Sequence, residues 1–256
     1  MRRPIVFVTD YGRDDAYAAA LIGAVWSVEP MTVVVEGTHG IPPGDILAGA
    51  YQLKALAEAF DENAVFCAVV DPGVGTDRKA LAVQIGDLVC VAPDNGLITY
   101  LWAEAPINER WAVSLDIPEG ASNTFHGRDV FAPAAGQIVG GERLEEMGDP
   151  IDAPVLLPEA FAQRQVDRVV GRVAVVDHFG NVISTIRGQD LSGASVVSVQ
   201  WPGGSTNSVV STYAEIGEGV AALFGSVDHL EIAARGAPAA SKGGPQAGDE
   251  ITVMLM

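Results

Sequence analysis

The chain has 256 residues, of which 48% are hydrophobic and 19% charged, so it holds enough apolar material for one large or two modest cores. Its net charge of −18 argues against nucleic acid and anionic membranes as partners, because the 15 Lys and Arg residues are scattered and form no basic patch. A small substrate that is cationic, or neutral overall, would meet no long-range repulsion.

The apolar runs are shorter than the roughly 20 residues that a membrane-spanning helix needs. The opening segment MRRPIVFVTD has two arginines before an apolar stretch, but Asp10 interrupts that stretch and no small-residue cleavage site follows. We therefore expect a first strand here and a cytoplasmic protein. Cys67 and Cys90 lie in apolar runs without metal-ligand or CxxC spacing, and we expect them to be buried reduced thiols.

The first 150 residues alternate between strand-like and helix-like segments. The pattern predicts strands at residues 5–9, 32–36 and 64–70, a β pair from ALAVQIG and LVCVA, and helices at residues 14–28 and 45–60. Asp45 is well placed as the N-cap of the second helix. This alternation predicts a sandwich-like α/β domain with a mainly parallel sheet over residues 1–155.

The pattern changes near residue 150. Residues 150–168 contain Pro154 and Pro158 and are expected to form a linker or long connection. Short β-rich segments separated by Gly and Pro turns then follow: VVGRVAVVD, NVISTI, SVVSVQW, VAALFG, HLEIAA and EITVMLM. They predict a smaller β-barrel or sandwich, of which we favour the barrel, over residues 168–256.

Polar side chains follow several of the predicted strands. They are Asp10, His39, Asp71, and the pair Asp94 and Asn95. Open α/β sheets place their binding sites outside the carboxyl ends of the strands, so this convergence predicts a pocket at that edge.

Asp10, in TDYGRDD, admits several interpretations. A phosphoryl-accepting aspartate is disfavoured because no DxDxT pattern follows. A carboxylate that binds the vicinal hydroxyls of a ribose is the better functional interpretation, and an N-cap of the next helix is the structural one. The Gly-rich segment DPGVGT lacks the GxxxxGK[ST] pattern of a phosphate-binding loop, so its glycines are expected to allow a sharp turn or close approach to a ligand.

Asp71, Arg78 and His126 form the candidate catalytic set. Taken alone, Arg78 is typical of a surface cation and His126 of a hydrogen-bonded structural residue. Together, an acid, a permanent cation and an imidazole can hold and polarise one water molecule if the fold brings them together. That water is the candidate nucleophile.

A tight turn is predicted in VVDHFGNVIST, around Asp177, Phe179 and Asn181. An aromatic ring and an amide in one loop can stack on a purine and hydrogen-bond to it. An ordinary hairpin turn is the structural alternative.

Seven segments together resemble the S-adenosylmethionine hydroxide adenosyltransferase family, relatives of the fluorinase and chlorinase enzymes. They are TDYGRDDAYAAALIGA, THGIPPGDILAGAY, VVDPGVGTDRKALAV, VAPDNGLITYL, TFHGRDVFAPAAGQI, VVDHFGNVISTI and FGSVDHLEIAARGAPAA. VDPGVG, PDNGL and TFHGRDxFAP are the most specific of these signals and occur in the family's order and spacing. The resemblance covers nearly the whole chain.

The resemblance implies an α/β N-terminal domain, a β-rich C-terminal domain and a homotrimer. It implies that each substrate site lies between one subunit's N-terminal domain and its neighbour's C-terminal domain. The implied reaction converts S-adenosylmethionine and water to adenosine and methionine, with no metal or organic cofactor.

Individual residues of the first half match the family's functional positions. Asp71, Arg78 and His126 match the water-activating set. Asp10 matches the aspartate that holds the ribose diol. Gly44 departs from the fluorinase pattern, because the fluorinase has a tryptophan there.

In the second half, Asp177 matches the acid near the methionine ammonium, and Phe179 and Asn181 match residues around the adenine. Ser226 matches the serine near the methionine carboxylate. An Asn-Ser pair is common in similar proteins, whereas this chain has Gly225 before Ser226.

The resemblance also separates hydrolysis from halogenation, since the halide-using relatives carry tyrosines where this chain has Asp71 and His126. A carboxylate at residue 71 would repel an incoming halide. Asp71 and His126 can instead orient a water or accept its proton, and Arg78 favours the developing hydroxide. The sequence leaves open which of the two is the base. There are two alternative functions. One is an adenosyl halide synthase, and the other is a protein that binds a nucleoside or S-adenosylmethionine with negligible turnover.

Overall fold

A mixed sheet organises the first of two units, Met1–Leu157 (unit 1), and an antiparallel sheet organises the second, Pro158–Met256 (unit 2). The computed structural model describes residues 3–60, 64–191 and 193–256. Unit 1 contains seven strands: β1 (Ile5–Thr9), β2 (Val34–Thr38), β3 (Val65–Val69), β4 (Ala80–Ile85), β5 (Leu88–Pro93), β6 (Arg110–Leu115) and β7 (Gly148–Ile151).

The helices of unit 1 are α1 (Tyr17–Val28), α2 (Ile46–Phe60), α3 (Thr99–Glu104) and α4 (Ala132–Gly140). A π-helical turn, Gly127–Phe131, directly precedes α4. The predicted N-cap of α2 is confirmed, because the Asp45 carboxylate accepts the Ala48 N–H at 3.0 Å.

The strand order in unit 1 is β2-β1-β3-β5-β4-β6-β7. The first four strands run parallel, and the last three add antiparallel pairings. The expectation of a mainly parallel sheet is therefore not confirmed: the sheet is mixed. The predicted β pair explains the difference, because β4 and β5 form a hairpin in which Ile85 pairs with Leu88. A connection this short cannot cross over to a parallel neighbour.

Strands β1 and β3 are buried along their whole length, which explains their unbroken apolar runs. Alternate side chains point to opposite faces, so Ile5 and Phe7 pack in one cluster with Leu21 of α1 and Ile138 of α4. The polar residues that follow these strands are consequently presented at the sheet's edge.

Unit 2 contains β8 (Gln163–Arg164), β9 (Arg168–Val176), β10 (Val182–Arg187), β11 (Val196–Trp201), β12 (Gly204–Thr206), β13 (Val220–Phe224), β14 (His229–Ala234) and β15 (Glu250–Leu255), with a short helix α5 (Gly188–Leu191). The order β12-β11-β15-β9-β10-β14-β13 is antiparallel throughout, and β8 pairs with β9. A bridge between Val209 and Ala222, after β12 and in β13, brings the two ends together. The barrel-like prediction for this half is confirmed.

Cys67 and Cys90 are buried free thiols on the neighbouring strands β3 and β5, as predicted. Burial raises the pKa of Cys90 to about 12 and the pKa of Cys67 well above its usual value, so both stay protonated at neutral pH. Among the described helices, none combines the length and the apolar character that a bilayer crossing requires.

Candidate active site

Asp71 and Arg78 form a buried ion pair at the two ends of the loop that joins β3 to β4. Arg78 Nε donates to both carboxylate oxygens of Asp71, at 3.0 and 3.1 Å, and Arg78 Nη2 donates to Oδ2 as well. The exposed fraction is only 9% for the Arg78 side chain and 5% for the Asp71 side chain. Because bulk water is nearly excluded, this pair is screened far less than a surface pair.

His126 joins the pair through the same guanidinium, since Arg78 Nη2 lies 3.0 Å from His126 Nδ1. A guanidinium can only donate, so Nδ1 must be the acceptor, and in the neutral ring the proton sits on Nε2. Burial, and then the positive charge of Arg78, lower the pKa of His126 below its usual 6.5. The imidazole is therefore neutral at physiological pH.

Arg78 keeps one donor group unused. Its Nη1 is buried and has no hydrogen-bond partner in the part of the chain that the structure describes. The Phe131 ring, at the other end of the π-helical turn from His126, lies 5.2 Å from Arg78 Cζ. An ordered guanidinium with a free buried donor is suited to stabilise a hydroxide-like oxygen.

Two glycines allow the segments of this site to approach closely. Gly75 has φ +78°, and a Cβ there would overlap the backbone carbonyl of Asn123, in the loop that leads to His126. A Cβ on Gly127 would overlap the hydroxyl of Tyr11. Gly75 belongs to the segment predicted to make a sharp turn or close approach, whereas no such role was predicted for Gly127. Both glycines let neighbouring segments meet beside the ion pair.

Asp10 follows β1 and belongs to the same region of unit 1. Its Oδ2 accepts the N–H of Gly44 at 2.8 Å, and Gly44 has φ +74°. Burial raises the pKa of Asp10, and the negative charge of Asp71 adds to this effect. The N-cap interpretation of Asp10 is wrong, because α1 begins at Tyr17 and has no side-chain cap.

His39 ties the ends of β1 and β2 together. His39 Nδ1 lies 2.7 Å from Thr9 Oγ1, and Thr9 Oγ1 accepts the Tyr11 N–H at 3.2 Å. The backbone carbonyl of His39 accepts the Gly12 N–H at 2.8 Å. The loop that carries Asp10 is therefore held to the loop after β2. Its bonds to Thr9 and Gly12 make His39 a structural support in unit 1.

The residues predicted in the second half lie in unit 2. Asp177 Oδ1 accepts the N–H groups of Phe179 and Asn181, at 2.9 and 2.8 Å, and Oδ2 accepts Asn181 Nδ2 at 2.9 Å. These bonds form the predicted tight turn, between β9 and β10. Phe179 is 74% exposed, so its ring is accessible at the tip of the turn.

Ser226 is exposed in the turn between β13 and β14, and a buried acid that we did not predict lies beneath that turn. This acid is Glu231, and its carboxylate would overlap a Cβ placed on Gly225. Glu231 Oε2 accepts the Tyr213 hydroxyl at 2.5 Å. Burial raises the pKa of Glu231, and the charge of Asp177 contributes to the rise. A single acid in the apolar strand HLEIAA was the available sequence signal.

No three His, Cys, Asp or Glu side chains are grouped as metal ligands would be within residues 3–60, 64–191 and 193–256. The first half of the chain, residues 5–148, matches the S-adenosylmethionine hydroxide adenosyltransferase N-terminal domain, and residues 171–252 match the corresponding C-terminal domain.

Relatives of known name share much of this sequence. An (R)-S-adenosyl-L-methionine hydrolase from Salinispora tropica is 43% identical over 185 residues, or 70% of each chain. A fluorinase from Nocardia brasiliensis is 30% identical over 223 residues, covering 74% of this chain and 73% of its own.

A solved structure shows the same fold over nearly the whole chain. The crystal structure of an uncharacterized conserved protein from Thermotoga maritima superimposes with a TM-score of 0.87 at 29% identity, covering 98% of this chain and 99% of its own. With both domains matched in order along the sequence, the chain belongs to the S-adenosylmethionine hydroxide adenosyltransferase family.

Proposed function

We propose that this chain hydrolyses S-adenosylmethionine to adenosine and L-methionine, and that Asp71, Arg78 and His126 activate the water. The observation that carries the proposal is one buried guanidinium that bonds both other side chains and keeps Nη1 free to donate. The Salinispora tropica relative, an (R)-S-adenosyl-L-methionine hydrolase, supports this substrate and suggests the R configuration at sulfur.

The reaction is an in-line displacement at the ribose C5′. The water oxygen forms a bond to C5′ as the C5′–S bond breaks, and the electron pair of that bond stays on sulfur. Methionine leaves as a neutral thioether, so the leaving group needs no acid, and one proton passes from the water to solvent. Catalysis then depends mainly on placing the water and excluding bulk solvent.

The hydrogen bonds suggest how the proton is handled. His126 Nδ1 already accepts from Arg78, so the neutral ring offers its Nε2–H as a donor and is not the base in this arrangement. Asp71 is the remaining acceptor, and a carboxylate has lone-pair positions beyond those that Arg78 uses. We therefore assign proton acceptance to Asp71, orientation of the water to His126, and stabilisation of its developing charge to Arg78 Nη1.

The remaining predicted residues are proposed to bind the substrate. Asp10 would hold the ribose diol, a role supported by its place near Asp71, whose negative charge contributes to the raised pKa of Asp10. Asp177 would bind the methionine ammonium and Ser226 the methionine carboxylate. The adenine would be bound by Phe179, whose exposed ring is free to stack, and by Asn181.

We also propose a homotrimer with substrate sites at the subunit interfaces, located in the cytoplasm. Because the sulfonium is already an activated leaving group, we propose that no metal or organic cofactor takes part. Light scattering on the purified protein measures the particle mass. A mass equal to three chains, or to a multiple of three chains, agrees with the trimer, and any other mass would contradict it.

An adenosyl halide synthase is the second candidate, and the likeness to the fluorinase from Nocardia brasiliensis favours it. The negative charge of Asp71 opposes it, because a halide would have to approach that carboxylate closely. The third function considered, binding without turnover, has no observation of its own in its favour.

The three functions are separated by one set of incubations with S-adenosylmethionine, in halide-free buffer, in chloride and in fluoride, all in water labelled with ¹⁸O. Hydrolysis gives adenosine that carries the label at its 5′ oxygen, at the same rate in each buffer. A 5′-halogenated product that requires the halide would overturn the proposal in favour of the synthase. Bound substrate with no adenosine after hours would leave only a binding protein.

A further inference from the structure

We propose that Asn95 is a positioning residue for the Asp71–Arg78 pair, acting through the peptide that joins Val70 to Asp71. This inference rests on the proposed function, because it assigns Asn95 a part in the same reaction. Asn95 lies in the turn that follows β5 and does not itself belong to the ion pair.

The Asn95 side chain bridges two backbone groups. Its Nδ2 donates to the Val70 carbonyl at 2.8 Å, and its Oδ1 accepts the Leu97 N–H at 3.2 Å. The two bonds fix the orientation of the amide, since one needs a donor and the other an acceptor. The Val70 carbonyl belongs to the same planar peptide unit as the Asp71 nitrogen, so holding this carbonyl also holds the start of Asp71.

The same turn holds the other end of the loop. The Asp94 N–H donates to the Lys79 carbonyl at 2.9 Å, one residue after Arg78. Asp94 Oδ1 in turn accepts the Val155 N–H at 2.7 Å, which anchors the turn to a further segment of unit 1. The turn therefore contacts the backbone next to both members of the ion pair.

On the β5 side of β3, the sheet pairing ends before Asp71, and the Asn95 amide supplies the next bond there. Pairing between β3 and β5 stops at Cys67 and Val91, three residues before Val70. The loop that follows contains Gly73 and Gly75, which restrict the backbone least. On the other side of β3, pairing with β1 reaches Thr9 and Val69, one residue short of Val70. The amide bond therefore adds a contact that reaches the peptide of Asp71 itself.

Such control matters because the reaction depends on placing a water molecule. A misplacement of about 1 Å at a catalytic group can cost a factor of about 100 in rate. Asn95→Asp removes the donor and turns a carboxylate oxygen toward the Val70 carbonyl. Asn95→Ala removes both bonds without adding repulsion.

The test measures kcat and KM for adenosine release by the purified protein, together with thermal stability. Gln84→Glu is the matched control, because Gln84 Nε2 also donates to a backbone carbonyl of unit 1, that of Gly86, at 3.0 Å. We expect Asn95→Asp to lower kcat by about 10- to 100-fold while KM changes by less than about threefold, and Gln84→Glu to leave kcat within about twofold. If Asn95→Asp fails to fold, Asn95→Ala is expected to show the same split with a smaller loss.

A double-mutant cycle shows whether Asn95 acts through Asp71. If it does, Asn95→Ala costs little further kcat when Asp71→Asn is already present. Full additivity, an unchanged kcat in both Asn95 variants, or an equal loss in Gln84→Glu would each overturn the inference. A wild-type protein that releases no adenosine would instead refute the proposed function, and the positioning role would fall with it, so the two failures are distinguishable.

Discussion

Arg78 Nη2 lies 3.0 Å from His126 Nδ1, while the same guanidinium holds the Asp71 carboxylate. One permanent cation thus fixes a carboxylate and a neutral imidazole in a single buried arrangement. Protonation of His126 would remove the acceptor and place two positive charges side by side. The site is therefore built around a neutral imidazole.

This arrangement predicts an acid limb in the pH profile. The pKa of His126 in the folded protein is lowered from 6.5, so the ring is mostly neutral at pH 6.5 and most of its protonation occurs at lower pH. We expect kcat/KM to be constant above pH 6.5 and to fall below it. A profile between pH 4.5 and 8, measured also on His126→Asn, checks this. A limb above pH 6.5, or one that persists unchanged in the variant, would contradict the assignment.

Arg78→Lys is expected to lower kcat by about 100- to 1000-fold, the usual cost of losing a donor to a developing oxyanion. Lysine keeps the charge, but one ammonium cannot reproduce the paired bonds to Asp71, the bond to His126 and a free donor together. Adenosine release under saturating substrate measures the effect. Arg128→Lys is the control, since Arg128 is an exposed partner of Asp129. The kcat of this variant should stay within about twofold of the wild-type value. Equal losses in both variants would count against a special role for Arg78.

Gly75→Ala and Gly141→Ala separate backbone strain from contact between loops. Both glycines have positive φ, +78° and +106°, but only Gly75 faces another backbone, that of Asn123. Each alanine should cost about 1–2 kcal/mol for the left-handed backbone. Gly75→Ala should cost about 1–3 kcal/mol more, because overlap with a carbonyl adds strain.

Urea unfolding gives the free energy of unfolding of both variants, and kinetics gives their activity. We expect Gly75→Ala also to have a lower kcat than the wild-type protein, because Asn123 lies in the loop before His126. Gly141→Ala should keep the wild-type kcat. Equal free energies of unfolding and equal activities would show that the approach of the two loops has no importance.

Much of the secondary structure could be predicted from the sequence because it depends on local patterns. All six β-rich segments of the second half are strands, and β1 spans the predicted residues. Strand direction could not be predicted where no short turn joins the two strands, since parallel and antiparallel strands share the same alternation of side chains. The three-residue strand β12, Gly204–Thr206, is too short to carry a pattern.

The candidate site was predictable as a set of residue types, but not as a geometry. The combination of residue types and the resemblance to the family suggested that Asp71, Arg78 and His126 belong together, whereas the Nδ1 contact that fixes the proton of His126 spans 48 residues. Asp10 was open between a ligand-binding role and a helix cap. The cap is excluded because α1 begins at Tyr17 without a side-chain cap, and the Asp10 carboxylate instead accepts the N–H of Gly44, 34 residues away. Such long-range contacts leave no trace in local periodicity.

The raised pKa of Glu231 predicts that its contribution to stability changes with pH in the direction opposite to that of an acid whose pKa is lowered by a positively charged partner. Burial raises its pKa in the folded protein above the usual 4.5, so the folded state binds the proton more tightly than the unfolded state does. Stability contributed by the protonated group is full below pH 4.5 and is lost as the pH rises through the folded pKa. At neutral pH the buried carboxylate is therefore a cost to folding.

Glu231→Gln should remove that cost while keeping an oxygen that can accept the Tyr213 hydroxyl. We expect a higher midpoint of urea unfolding than wild type at pH 7, and a difference that shrinks toward zero below pH 4.5. Glu218→Gln, at an exposed position of the same unit, should show neither effect. A lower midpoint at pH 7 would mean that the charged carboxylate stabilises unit 2, and that its bond to Tyr213 outweighs the desolvation that raises its pKa.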